Sequence, residues 1–457
     1  MPAARPPAGP PLGPDRPAGP SVDPALAARA AAAERSVTGR HLHRPLLAPR
    51  ARLAWTAHPP TVAARSFVSF HYWWQAHVLD CLLDAQRRAP TAARRCLIAP
   101  WPAAMALRNG VGWLNEYYDD NAWLGLALDR MEREQGIVVP ARGRARDLQV
   151  VRNRGVRNRG VRGAQGVPGR PGARGGDHGA AGRRVLAVDR IVARLEGGWD
   201  DRPLGGGIPW RVGDVFRNVP ANGPMAILMA RRGRLERACR TLTWLREHCL
   251  DAATGLVVDG IRPDPTGAAP WLVDRTFYTY NQGVMLGAEV AVLRAALDRG
   301  PGTADIPGAV DAPGAVDTAD TTARVLRLVE AIDRGMADGH VLVGYRGRPE
   351  QGGDEGLFRG ILARYLALVA TDLPGGTADA ASARGLAARL VRTTAEAAWQ
   401  HRARHGEEMW FGPDPRTPAR IPRRSDPTDL PERDLSVQVG AWMLLEAAAR
   451  CPGPRSP

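Results

Sequence analysis

One pattern recurs six times along the chain and limits its fold more than any other feature. A polar turn rich in glycine or aromatic residues is followed at once by an apolar segment built largely from small residues. The turns at 71–77, 117–121, 205–224, 278–283, 351–356 and 431–434 lead into apolar runs at 78–85, 122–131, 225–231, 284–297, 357–370 and 435–449. Within these runs apolar positions follow helical spacing rather than strand alternation. Amphipathic segments with Arg-rich faces lie between them, at 24–36, 91–107, 184–195, 234–250, 321–336 and 380–401. Six of one kind alternating with six of the other predicts an all-α fold, an (α/α)6 barrel in which inner and outer helices alternate around a six-hairpin toroid. Each inner helix then begins at the same end, and the six turns converge on one cleft. Convergent polar groups in an aromatic-lined concavity are what a small-ligand or glycan site needs. A helical solenoid whose turns are only turns is the alternative.

The predicted barrel domain spans 24–457, preceded by a disordered Pro/Ala-rich stretch at 1–23. A disordered Arg/Gly-rich insertion is expected at 141–184, and a low-complexity loop of Pro-Gly-Ala-Val-Asp repeats at 300–319. The net charge is +15, and all 62 basic residues are arginine. Twelve Arg against two Asp put +10 of that charge within 141–184, which repeats Val-Arg-Asn-Arg-Gly at 151–155 and 156–160. Such a composition buries too little apolar surface to offset its ordering entropy. It also holds no aromatic residue for stacking on bases, so no specific nucleic-acid partner is expected.

No apolar run of 18 residues exists, so no membrane partner or span is predicted. The first 24 residues lack the apolar core of a secretory signal, which gives cytoplasmic localisation as the expectation, with export by another route or a misassigned start left open. Five cysteines without a C-x-x-C pair read as reduced, mostly buried thiols. A monomer is expected.

Several chemistries lack their residues. Neither H-E-x-x-H nor paired Cys/His spacing is present, so no metal is predicted. The Walker A and dinucleotide fingerprints are missing, which leaves no cofactor expected. G-x-S-x-G is missing too. What remains is carboxylates and aromatics, the groups used in glycoside hydrolysis. They concentrate in Tyr117-Tyr118-Asp119-Asp120-Asn121-Ala122-Trp123. Asp-Asp-Asn is equally a helix-start signal, because these side chains accept hydrogen bonds from first-turn N–H groups.

Further blocks accompany that segment: Trp73-Trp74-Gln75-Ala76-His77, Gly206-Gly207-Ile208-Pro209-Trp210, Ala221-Asn222-Gly223-Pro224, Thr254-Gly255-Leu256-Val257-Val258-Asp259-Gly260, Tyr278-Thr279-Tyr280-Asn281-Gln282-Gly283 and Phe358-Arg359-Gly360-Ile361-Leu362-Ala363-Arg364-Tyr365. Together, and in this order, they resemble glycoside hydrolase family 76, the endo-α-1,6-mannanases. The resemblance implies an (α/α)6 barrel, a carbohydrate substrate (α-mannan or a mannooligosaccharide) and a retaining mechanism. Asp119 would be the nucleophile and Asp120 the acid/base. Trp74, Trp123, Trp210 and Tyr280 become candidates for stacking on sugar faces. His77, Asn121, Asn222, Asn281, Gln282 and Asp354 become candidates for substrate contact, with packing or capping as the alternative for each. Leu124 and Pro209 depart from the family pattern, and residues 50–69 match it poorly. A transglycosylase or a non-catalytic glycan-binding protein on the same barrel is the alternative function.

Overall fold

The computed structural model describes residues 23–45, 48, 51–110, 112–140, 186–202, 204–299 and 316–453. The expected disordered N-terminus and the Arg-rich insertion therefore lie outside the described residues. So does most of the 300–319 loop, whose last two residues instead open a helix that Asp317 caps.

Six helices form the inner ring: α3 (Tyr72–Arg88), α6 (Tyr118–Gln135), α8 (Val219–Arg231), α10 (Thr279–Asp298), α12 (Phe358–Asp372) and α14 (Leu435–Arg450). Each packs on the next, and α14 returns to α3, so the ring is closed. The outer layer comprises α1 (Pro24–His41), α7 (Ala187–Gly197), α9 (Leu235–Cys249), α11 (Thr318–Met336), α13 (Ala378–Gln400) and a broken element. That element was expected as one helix over 91–107. It is two, α4 (Ala92–Ile98) and α5 (Trp101–Arg108), because Pro100 and Pro102 withhold two backbone donors at the junction. A single-turn helix, α2 (Val62–Arg65), lies on the approach to α3.

The inner helices are buried almost all round, which explains their small residues. At the α12–α14 crossing a Cβ on Gly360 would sit 2.5 Å from the Gly440 carbonyl oxygen. No side chain fits there, and glycine sets the spacing of the two helices. Lower in the ring, Arg130 and Arg364 clamp the buried Asp80 and Asp84, with Arg130–Asp84 at 2.8 Å and Arg364–Asp84 at 2.7 Å. These charges are paired on both sides, as burial requires. The cysteines are all free; Cys81, Cys249 and Cys451 are buried, Cys239 is half-buried and Cys96 is exposed.

At α3, α6, α8 and α10 polar motif residues form the first helical turn rather than preceding it as expected, whereas at α12 and α14 the motifs do precede the helix and hold the single turns Gly353–Leu357 and Pro431–Arg433. A repeated device explains this. In five of the six inner helices the fourth residue is a buried Asn or Gln whose amide grips both backbone groups of one residue in a preceding loop. Gln75 accepts from the Ala54 N–H at 2.9 Å and donates to its carbonyl at 2.8 Å. Asn121 does the same with Asn115, both at 3.1 Å, and Asn222 with Ile208, both at 2.8 Å. Gln282 holds Val257 at 2.8 Å twice, and Gln438 holds Phe411 at 3.2 and 2.8 Å. A backbone segment that ends up buried needs such partners. In α12 the fourth residue is Ile361. All five amides also donate to a carbonyl just before their helix; Asn121, Asn222 and Gln282 reach the residue four positions back, Gln75 reaches Phe70 and Gln438 reaches Glu432. Turn-like composition and helical geometry thus coincide.

Strands are few and short. One three-stranded antiparallel sheet joins Arg217–Asn218, Gly260–Arg262 and Leu272–Asp274, with Gly260 opposite both Asn218 and Asp274. It stands beside the starts of α8 and α10, because the Val219 N–H donates to the Asp259 carbonyl.

Candidate active site

The Asp119-Asp120 pair occupies the second and third positions of α6, where the first-turn N–H groups are free to meet a carboxylate. The Tyr118 N–H donates to the Trp210 carbonyl at 2.9 Å, which pins the loop after 205 against this helix start. Trp210 is thereby placed to donate its indole N–H to Asp119 Oδ2 at 3.1 Å, while the Asp120 backbone N–H donates to Asp119 Oδ1 at 2.9 Å. Asp120 takes a different partner, the side-chain amide of Asn115 on its Oδ2 at 2.6 Å.

Those surroundings separate the two carboxyls. Burial lifts Asp119 to about 7, against the two hydrogen bonds that favour its charge. The helix N-terminus favours the charged form of Asp119, but loss of water outweighs it. Burial also lifts Asp120, and the neighbouring Asp119 charge lifts it further, well above the usual carboxylate range. Asp119 is the group that ionises first. Asp120 is the one that holds its proton.

Around the pair stands an aromatic arc. Tyr280 stacks on Phe358 with centroids 3.9 Å apart; Phe358 lies 5.2 Å from Tyr278 and 6.2 Å from Trp73. Trp73 and Tyr278 remain partly exposed, whereas Trp74 and Trp123 are buried. The indole N–H groups of Trp73 and Trp74 converge on Asp354 Oδ1, at 3.0 and 2.8 Å. Asp354 is exposed, and its second oxygen accepts no protein hydrogen bond among the described residues. His77 lies between Trp73 and Trp123, at 5.5 and 4.8 Å, and neither ring nitrogen has a hydrogen-bond partner among the described residues. Burial, with Arg364 beyond it, pushes His77 down to about 3, so the ring is neutral.

On the far wall Asn281 donates to Asp259 Oδ1 at 2.9 Å, and its own buried side-chain oxygen has no partner among the described residues. Burial raises Asp259 to about 6, with the Asn281 hydrogen bond opposing the rise. Burial raises the Tyr280 hydroxyl well above its usual range, and the charges of Asp259, Asp119 and Asp354 add to the rise.

The structure therefore brings Asp119, Asp120, Trp210, Tyr280, Asn281 and Asp354 to one place, with Trp74, His77 and Trp123 packed behind it. Asn121, Asn222 and Gln282 are corrections. Their amides are fully engaged with backbone, and all three are 0 % exposed, so they are not presented to a ligand. Replacing Asn222 or Gln282 with Ala strands a buried N–H and a buried carbonyl, a loss of about 2–4 kcal/mol. Urea denaturation of either variant should show that loss while KM stays near wild type; a raised KM at unchanged stability would restore them to the substrate site. Leu124 is fully buried in the core and removes no face from the cleft. Asn115, Trp73, Tyr278 and Asp259 were not singled out beforehand. Of these Asp259 carried a signal, a lone acid closing the apolar run 256–258 just before a glycine.

The chain matches the family model for glycosyl hydrolase family 76 over residues 187–299. No curated protein matches it. Among solved structures it is similar to an inactive double variant of the α-1,6-mannanase GH76A of Salegentibacter sp. HEL1_6 in complex with α-1,6-mannotetrose. That match has 21% identity and a TM-score of 0.66, over 93% of this chain and 98% of the other. It is also similar to the Lin0763 protein of Listeria innocua, at 19% identity and a TM-score of 0.64 over 93% and 97% of the two chains. The mannosidase Bt3792 of Bacteroides thetaiotaomicron aligns at 15% identity and a TM-score of 0.57, over 93% and 98%.

Proposed function

We propose that this chain, a glycoside hydrolase of the family 76 type, cleaves α-1,6-mannosidic bonds with retention of configuration. The observation that carries the reading is the unequal setting of two adjacent carboxyls. Asp119, held by an indole and a backbone N–H, attacks the anomeric carbon as the carboxylate. Asp120 gives its proton to the departing glycosidic oxygen. In the second step Asp120 takes a proton from water, and the resulting hydroxide displaces Asp119 from the sugar. Retaining pairs work at about 5–5.5 Å separation, which neighbouring residues on one helical turn suit. Trp73, Tyr278 and Tyr280 offer ring faces to the sugar, and the free oxygens of Asp354 and Asp259 accept from its hydroxyls. Substrate identity rests on similarity to a mannanase that binds α-1,6-mannotetrose.

The test is direct. Purified protein is incubated with α-1,6-mannooligosaccharides, and proton NMR follows which anomer appears first. Retention gives the α-anomer first, relaxing to the equilibrium mixture. The β-anomer first means inversion and removes Asp119 as nucleophile. Absence of any cleavage removes the substrate.

A further inference from the structure

Five of the six inner helices tie a loop to the barrel through an Asn or Gln at the fourth position, and α12 has Ile361 there. The segment leading into α12 is held instead by Glu350. Its carboxylate accepts from the Thr279 N–H at 2.8 Å and from the Thr279 hydroxyl at 2.8 and 2.7 Å. Thr279 is the first residue of α10, so the tie runs to a neighbouring helix rather than to the helix that follows. We propose that Glu350 is a positioning residue for the cleft: it fixes the segment that presents Asp354 against the helix start that presents Tyr280 and Asn281.

The geometry on both sides of the tie carries this. Four residues beyond Glu350, Asp354 receives the two indole N–H groups. One residue beyond Thr279, Tyr280 stacks on Phe358, and Asn281 grips Asp259. Glu350 therefore adds a polar tie between two walls that also meet through the contacts of Tyr278 and Tyr280 with Phe358. It is 8% exposed, both its oxygens are taken by Thr279, and it lines a cavity of about 20 Å³ together with Glu355, Arg359, His401 and Asp414. The Arg359 guanidinium is the cation facing it, from the first turn of α12. The downstream end of the segment is held separately, by the Gly353 N–H on Asp434 Oδ2 at 2.7 Å. Loss of Glu350 thus loosens one end and does not release the whole loop.

The inference rests on the proposed substrate for its kinetic arm, and amide exchange tests it without any sugar. Glu350→Leu keeps the volume and removes the acceptors; Glu350→Gln keeps one acceptor and offers a donor to the Thr279 hydroxyl. In Glu350→Leu the Thr279 amide should exchange at least about tenfold faster than in wild type, and in Glu350→Gln it should stay within about threefold. With α-1,6-mannotetraose KM should rise about tenfold in Glu350→Leu while kcat falls less than about threefold. The Gln variant should restore both. If Glu350→Leu fails to fold, Thr279→Val, which removes only the hydroxyl, carries the test with a rise in KM of about threefold. Unchanged Thr279 exchange in Glu350→Leu, unchanged KM in a folded Leu or Val variant, or a Gln variant as impaired as Leu would each overturn the proposal. Wild type that exchanges as expected but cleaves no mannoside leaves the tie standing and overturns the substrate reading instead.

Discussion

Asp119→Ala and Asp120→Ala are each expected to lower kcat/KM on α-1,6-mannooligosaccharides by about 10³-fold or more while the protein still unfolds cooperatively. The two losses should differ in kind. Without Asp119 no glycosyl-enzyme forms, and a better leaving group does not help. Without Asp120 the first step lacks its proton donor, so an activated aryl α-mannoside should recover much of the rate of glycosylation. A small external nucleophile such as azide should then accelerate turnover of the trapped intermediate in the Asp120 variant. The wild-type pH profile follows from the same geometry. Asp119 must be ionised, and burial sets its ionisation near 7. Activity should therefore fall as pH drops through about 7, and fall again at higher pH where Asp120 loses its proton. Because the carboxyls interact, the two limbs belong to the pair as a unit. A profile flat between pH 5 and 8, or an Asp120 variant no better on the activated substrate, would overturn this division of roles.

The ring was legible because its cause is local. Glycine and alanine where helices cross and Arg where helices face water act through their own segment. The pair Asp119-Asp120 was legible for the same reason, as two carboxyls in one turn flanked by aromatics. What was not legible depends on partners distant in sequence. Gln282 and Asn281 are consecutive amides, yet one grips the backbone of Val257, 25 residues away, and the other holds Asp259 at the cleft wall. Composition cannot separate them, because the difference lies in which face of the first turn of α10 each occupies. Asn222 was mistaken for a ligand contact on the same ground. The ionisation of Asp119 was not legible for a related reason. The helix N-terminus is visible in sequence, but what covers the carboxyl comes from distant segments, among them the loop carrying Trp210, 91 residues away.

The Asp119→Asn/Asp120→Asn double variant should be inactive and, at pH 8, more stable than wild type by about 2–4 kcal/mol. The sign follows from where the native carboxyls titrate. A carboxyl at 3.8 in the unfolded chain and about 7 in the native state binds more protons when folded at every pH between those values. Stability is then fully present below about 4 and is lost as pH rises through about 7, on the order of 4 kcal/mol for Asp119 alone. Asn carries no charge to desolvate, so the variant escapes that loss. It gives back part of the gain because one amide oxygen cannot accept from both the Asp120 N–H and the Trp210 indole, about 1 kcal/mol. Glu350 near 7 and Asp259 near 6 add the same sense of pH dependence to both proteins. They cancel in the difference, which isolates the pair. Urea denaturation at pH 8 and pH 4 reads it: the variant leads at pH 8, and the lead closes or reverses at pH 4. A variant no more stable than wild type at pH 8 would mean that water reaches these carboxyls freely, and an Asp120 so well hydrated would lose its proton too early to serve as the acid. The instability is thus part of the chemistry, because the dry setting that strains Asp119 is what keeps Asp120 protonated at the pH where Asp119 attacks.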